Sequence, residues 1–446
     1  MTRSLHLNLF IYPAGHHEAA WRRPESQPER ITDISYYQEL AQRAEAAKFD
    51  AVFFADGPAL ADNIAYAARA GLEPITTMTA IAAATERIGV IGTSSTTYNE
   101  PYNLARQFAS LDHLSNGRVG WNIVTTSSAS AAYNFGLDQH PVHAQRYERA
   151  EEFLDVVTKL WDSWEDDAVV ADRSSGIYAD TDKIHRVDHE GEHFRVRGPL
   201  NAPRSPQGRP VYVQAGSSPD GRSFAARWAE AIFTAHQTLE NAQEFYADIK
   251  SRARAAGRDP GQLKVLPGIS PFIGSTTAEA RALEEEFNDL TQPAYSLQQL
   301  SNLVGVDLRA YDLDGPFPTE VVAPVGDRAF HSRSQLVLDI VARENPTIRQ
   351  LCHRLAGARG HRVFAGTPVE VADTIQEWAE QGAADGFNVM PPWLPGGIDV
   401  FIDEVVPILR SRGLFRTEYT GSTLRDHLGL ARPASQYAPS IQEKTA

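Results

Sequence analysis

Cysteine is almost missing from this chain: its 446 residues include one, Cys352. A single thiol excludes an intrachain disulfide and fits a reducing compartment, so a cytoplasmic protein is expected. Positive charge is scarce too, with 42 Lys and Arg against 57 Asp and Glu, a formal net charge of −15. No basic stripe is available to neutralise phosphates, which argues against a nucleic-acid partner. No run of about 18 apolar residues occurs, so no membrane span is expected. Residues 1–11 (MTRSLHLNLFI) carry one charge and too short an apolar stretch for a signal-peptide core. Familiar catalytic strings are absent as well. There is no His-Glu-x-x-His, no Gly-x-Ser-x-Gly elbow and no phosphate loop ending in Gly-Lys-Ser/Thr. No carboxylate pair suited to glycoside cleavage stands out from spacing.

What is present is an ordinary globular composition, 42% hydrophobic and 22% charged, and a recurring module. The clearest copy surrounds residues 104–128. Leu104, Phe108, Leu111 and Leu114 mark a helix face, and Gly117 suits the left-handed position that closes it. Val119, Trp121, Ile123 and Val124 follow as a strand buried on both faces. Thr125 to Ser128 then sit at the strand's carboxyl end, where such folds place their chemistry.

Strands of this kind are expected at Leu5–Ile11, Ala51–Ala55, Ile88–Gly92, Val119–Val124, Val211–Gln214, Ala231–Thr234, Leu263–Ile273 and Gly386–Met390. Helices are expected at Tyr36–Lys48, Pro74–Ala84, Ala144–Trp164, Phe224–Ala229, Leu239–Ala256, Pro368–Gln381 and Asp399–Arg412, besides the one before Gly117. Eight strands alternating with helices specify an α/β protein, a (β/α)8 TIM barrel with insertions. The division expected is one domain over 1–430, insertions near 165–205 (hairpin-like) and 290–362 (helical pieces at its ends), and a tail at 431–446.

The strand tips collect Asp56, Thr93–Thr97, Thr125–Ser128, Gln214–Ser218, His236 and Asn388–Pro392. This set is rich in hydroxyls and amides and poor in acid–base pairs, which suggests a bound cofactor carrying the reaction. Gln214-Ala-Gly-Ser-Ser-Pro-Asp-Gly221 reads equally well as an anion cradle or as a plain helix cap by Ser217, Ser218 or Asp220. Asp56 alone reads as a cap, and Arg146 and Tyr147 as surface residues within reach of a phosphate. Trp121 reads as core. His16, His17, His143, His236 and His331 read as surface or structural residues.

Asn116-Gly-Arg-Val-Gly-Trp-Asn-Ile-Val-Thr125 resembles a motif of the nitrilotriacetate and dibenzothiophene-sulfone monooxygenase group of bacterial-luciferase-like flavin enzymes. Further strings are similar: Asn134-Phe-Gly136, Arg146-Tyr147, Leu160-Trp-Asp-Ser-Trp164, Gly198-Pro-Leu200, Gln214-Ala-Gly-Ser-Ser218, Gly366-Thr-Pro368, Ala384-Asp-Gly-Phe-Asn388 and Thr423-Leu-Arg-Asp-His-Leu428. Together they span about residues 5–430. The resemblance implies a luciferase-like barrel enzyme that takes FMNH2 from a separate NAD(P)H:flavin reductase. It also implies reaction with O2 through a C4a-(hydro)peroxyflavin and oxygenation of a small organic substrate.

By position it places Asp56 near the flavin ring, and Thr93, Ser94, Ser95, Asn122, Val124 and Thr125 along the ring and ribityl chain. Tyr147, Gly216, Ser217 and Ser218 fall at the phosphate, and His331 is a catalytic candidate. The resemblance further implies a homodimer or homotetramer. Competing readings are a deazaflavin-dependent dehydrogenase, a flavin-binding protein without turnover, and a barrel hydrolase.

Overall fold

Eight parallel strands close on themselves in the computed structural model, which describes residues 4–60, 64–68, 70–216, 218–319 and 331–437, the side chains of 331–333 excepted. In chain order they are β1 (His6–Ile11), β2 (Ala51–Phe54), β3 (Gly89–Ser95), β4 (Val119–Val124), β5 (Val211–Gln214), β6 (Ala231–Thr234), β7 (Lys264–Ile273) and β8 (Gly386–Val389). Each pairs in parallel with its sequence neighbours, and β1 pairs with β8 to complete the ring. All eight are the expected strands, and the barrel is the expected fold.

Burial on both faces explains the unbroken apolar runs. One face of the strands meets the outer helices: Val52, Val90 and Ile269 share a core with Leu40, Ile81, Phe108 and Val157. The other face fills the barrel with Phe10, Phe53, Ile91, Val213, Phe233, Leu266 and Met390. Trp121 is fully buried beside Phe108, Phe153, Trp161 and Tyr212, so it is core, as expected.

The amino ends of the strands are plugged by the short helix Leu424–Leu428. Its Leu424 reaches into the barrel, and glycine at 89 and 120 makes room for it. A Cβ at those positions would stand 2.6 Å and 3.2 Å from the two Leu424 methyls. A capping box fixes the plug's entry, the Thr423 side chain accepting from the Asp426 N–H. Beyond it Arg432 pairs with Asp166, and the Tyr437 ring stacks on His185 at 3.8 Å. The tail is therefore tied to the 165–205 region as far as Tyr437. That region carries two antiparallel pairs, Val169–Asp172 with Ile177–Ala179 and His189–Glu190 with Arg195–Val196.

Three differences from the sequence reading bear on the site. Strand β3 runs to Ser95 rather than Gly92, so Thr93 to Ser95 are ladder residues. The helix after β5 begins at Pro219, five residues before Phe224, because Pro is preset for a first helical turn. An additional strand, Arg362–Gly366, pairs with the upper half of β7 outside the ring, and a helix at Thr277–Asp289 precedes it. Strand β7 is ten residues long, and its projecting end carries this outer strand to the barrel mouth.

Candidate functional site

The carboxyl ends of the strands form the mouth of the barrel, and a chain of hydrogen bonds links three of them. Thr93 Oγ1 donates to the Phe54 carbonyl at 2.9 Å and accepts from Asn122 Nδ2 at 2.7 Å. This fixes the Asn122 amide with Oδ1 buried and without a partner. Gln214 Oε1 at the tip of β5 is buried and unpartnered as well. A buried amide oxygen with no donor is costly, and two at one barrel mouth suit a ligand that supplies N–H or O–H groups.

Beside Gln214 the backbone is held bare of side chains. A Cβ on Gly216 would lie 2.3 Å from Gln214 Nε2, 3.0 Å from the Tyr147 hydroxyl and 3.2 Å from Gly221 Cα. A Cβ on Gly221 would also lie 3.0 Å from that hydroxyl. Tyr147 reaches this spot from the helix His143–Trp161. Burial raises its phenol above the ordinary value, against the pull of the neighbouring Ser218 and Thr125 hydroxyls and the Arg146 charge. The phenol thus stays a neutral donor. The helix Pro219–Trp228 starts here, capped by Ser218, whose Oγ accepts from the Gly221 N–H at 3.1 Å. Of the two sequence readings of 214–221, the helix cap is made by Ser218, and Gly216, Gly221 and Tyr147 shape a concavity beside it. Ser217 lies outside the described residues.

Arg146 is buried at the adjoining tip and donates to the carbonyls of Thr125 and Thr126. It is a brace for the β4 tip, not the surface residue expected. Thr126 there has φ +46°, a left-handed conformation unusual for a β-branched residue. Ser95 belongs to the same brace: its Oγ accepts from the backbone N–H groups of Thr97 and Tyr98 and from Thr126 Oγ1. Ser94 lends its carbonyl to the Trp121 indole at 3.0 Å, and Val124 and Thr125 are half-buried at the rim. Asp56 lines a cleft of about 640 Å3 above β1 and β2, together with Tyr12, Tyr37, Phe54 and Asn134. Loss of water around it raises its carboxyl.

The floor is aromatic. Phe10, Phe53 and Phe233 meet edge to face with centroids 4.7–5.5 Å apart, and His361 stacks on Phe233 at 4.6 Å. His16 packs on Phe10, and its Nε2 bonds the Phe10 carbonyl at 2.9 Å. Burial, with the nearby Arg359 charge, lowers its pKa to about 3, so it is neutral. Burial lowers His17 and His236 to about 4. His143 pairs with Asp220 at 3.2 Å. His331 opens the helix His331–Glu344, and its side chain lies outside the described residues. Tyr12, Arg359 and His361 were not singled out in the sequence, since nothing local marks them. Folding alone brings Arg359 over the Tyr12 ring and His361 onto Phe233.

Among the described residues no group of three or more His, Cys, Asp or Glu could hold a metal, and no helix is long and apolar enough to cross a membrane. The site offers donors, bare backbone and apolar cover without a nucleophile–base pair, which suits an organic cofactor.

Comparison with known proteins agrees with this geometry. A family model described as luciferase-like monooxygenase matches residues 14–385. The chain is 49% identical to N-acetyl-S-(2-succino)cysteine monooxygenase of Bacillus subtilis, over 98% of this chain and 99% of that one. It is 48% identical to nitrilotriacetate monooxygenase component A of Aminobacter aminovorans, over 98% of each. A solved riboflavin lyase, crystallised with modified FMN and riboflavin, is 35% identical with a TM-score of 0.84, over 96% of this chain and 97% of that one. Family model, full-length identity and matching fold lead to one assignment: the chain belongs to the luciferase-like monooxygenases and is a flavin-dependent oxygenase.

Proposed function

We propose that this chain is the oxygenating component of a two-component system, using reduced FMN from a separate NAD(P)H:flavin reductase and O2 to oxygenate a small organic substrate. The observation that carries the reading is the bare-backbone cradle at Gly216 and Gly221 under the Tyr147 phenol. Next to it lie the unpartnered amide oxygens of Asn122 and Gln214. In this reading Tyr147, Ser217, Ser218 and the helix start hold the FMN phosphate, where free N–H groups and the helix dipole favour an anion. Thr93 orients Asn122 so that its oxygen accepts from the flavin's N–H edge. Val124 and Thr125 border the ribityl chain, and Asp56 lies on the ring side of the cleft.

When bound, reduced flavin supplies the activation of O2, and one oxygen atom passes to the substrate. The chain's own part is to bind, orient and keep water away. Phe10, Phe53 and Phe233 exclude water from the floor. Neutral His16 and the neutral Tyr147 phenol place no extra proton source of low pKa at the mouth. A separate reductase is supported by a relative named as component A of its enzyme.

The reading is tested with 18O2 and chemically reduced FMN, offering N-acetyl-S-(2-succino)cysteine, nitrilotriacetate and dibenzothiophene sulfone in turn. The expected result is a product from at least one of them carrying a single 18O, formed with reduced FMN and not with oxidised FMN. Flavin oxidation that yields water or peroxide alone with every candidate would overturn it.

A further inference from the structure

Arg359 has an unusual position and, among the described residues, no counter-charge. It ends the helix Ile348–Ala358 at φ 50°, ψ 40°, a left-handed conformation that a side chain of its size rarely adopts. Gln237 clamps the segment behind it, donating to the carbonyls of Gly360 and His361 at 2.8 Å and 3.0 Å. His361 Nδ1 in turn meets the Thr234 carbonyl at 3.1 Å, which fixes this segment over the tips of β6 and β7. From there Arg359 reaches across the mouth to the tip of β1, its guanidinium carbon 4.0 Å from the centre of the Tyr12 ring. Tyr12 is also a wall of the 640 Å3 cleft.

The two arginines earlier on the same helix are paired, Arg349 with Asp314 and Arg354 with Glu344. Arg359 takes part in no ion pair or side-chain hydrogen bond found among the described residues, and its Nε is buried without a partner. A guanidinium stacked on an aromatic face keeps its edge free for a bidentate acceptor. The concavity at Gly216 and Tyr147 lies at the tip of β5, so the mouth offers one anion site there and a second one at Arg359.

We propose that Arg359 is the carboxylate anchor of the substrate site, and that the substrate is a small polycarboxylate. The proposal rests on the flavin reading above and adds to it the substrate class. Stacking on Tyr12 presents the guanidinium beside the cleft, where one carboxylate can accept two parallel N–H bonds. The remainder of the substrate then lies toward the aromatic floor. The two relatives with the strongest identity quoted above act, by their names, on a triacetate and on a succinylated cysteine, both rich in carboxylates.

Protein saturated with FMN is titrated with nitrilotriacetate, with N-acetyl-S-(2-succino)cysteine and with the uncharged trimethyl ester of nitrilotriacetate. The expected result is that one of the two acids binds and the ester does not compete. R359Q then raises the dissociation constant of that acid at least about 30-fold, the loss typical of a truncated charge pair. R359K, which keeps the charge without the fork, falls between. FMN affinity is measured in the same samples and stays within about twofold in both variants. Wild-type protein that binds FMN but neither acid, or an R359Q protein that binds the acid as tightly as wild type, overturns the anchor. A loss of FMN affinity in R359Q also overturns it, by moving Arg359 to the flavin phosphate. Failure of the wild type to bind FMN is a separate result and counts against the flavin reading.

Discussion

Gly216→Val is expected to weaken FMN binding at least about 100-fold while leaving the cofactor-free protein close to its normal melting temperature. The first side-chain carbon would stand 2.3 Å from Gln214 Nε2, 3.0 Å from the Tyr147 hydroxyl and 3.2 Å from the Gly221 backbone. Gln214 and Tyr147 end in groups that can swing away, so folding survives. Once displaced they no longer form the cradle, and the added methyls fill the space proposed for the phosphate. Losing two charge-assisted hydrogen bonds at roughly 1.5–3 kcal/mol each gives the predicted size. Tyr147→Phe combined with Ser217→Ala removes two donors without adding bulk, and by the same reckoning is expected to cost about 100-fold or more. Fluorescence titration with FMN and with riboflavin checks both. The loss must appear for FMN and be small for riboflavin, which lacks the phosphate. Equal losses for the two flavins would show that the cradle holds something other than a phosphate.

The second large effect lies at the opposite end of the barrel. Arg425 of the plug helix is buried and grips Glu230 with both prongs, Nη1 to Oε1 at 2.7 Å and Nη2 to Oε2 at 3.0 Å. It also donates to the carbonyls of Gln207, Arg209 and Ala431. Burial alone would push the Glu230 carboxyl up, but the Arg425 charge overrides this and holds it below the usual value. A group held low contributes stability above its unfolded pKa and loses it as pH falls through the folded one. Arg425→Met removes the largest opposing charge and leaves the buried carboxylate with only the Arg209 charge and the Tyr212 N–H beside it; breaking a buried pair in this way typically costs about 3–5 kcal/mol. With burial now dominant, the deficit is greatest near neutral pH and shrinks as acid protonates Glu230. Denaturant midpoints of wild type and variant between pH 4 and 8 check this. A deficit that grows toward pH 4 would mean that Glu230 is not the group responsible.

The barrel was legible because its strands are buried on both faces, and such strands spell out apolar runs that end in polar tips. Val119 to Val124 and Ala51 to Phe54 could scarcely be anything else. The helix Thr277–Asp289 escaped because it shows solvent a long charged face, and only Ala280 and Phe287 are fully buried. The outer strand Arg362–Gly366 escaped because it is half-buried and pairs along one edge, so it lacks the apolar run of the inner strands.

The candidate site was legible where one strand tip carries its own polar groups or bare backbone, as at Thr93, Asn122 and Gly216. It was not legible where residues meet across the mouth. Arg146 looked like a surface residue because its position early in a helix says nothing of the carbonyls of Thr125 and Thr126 waiting above it. Tyr12 and Arg359 are separated by most of the chain, and a ring–guanidinium contact leaves no trace in local spacing. Local pattern gives strands and their tips; closure of the ring decides which tips face one another.

Rapid mixing of O2 with protein carrying anaerobically reduced FMN tests the flavin chemistry itself. Reduced FMN is expected to bind more tightly than oxidised FMN. After mixing, the bound flavin is expected to pass through a transient absorbance belonging to neither the reduced nor the oxidised form. Reoxidation at the rate of free flavin, with no such transient, would contradict that chemistry.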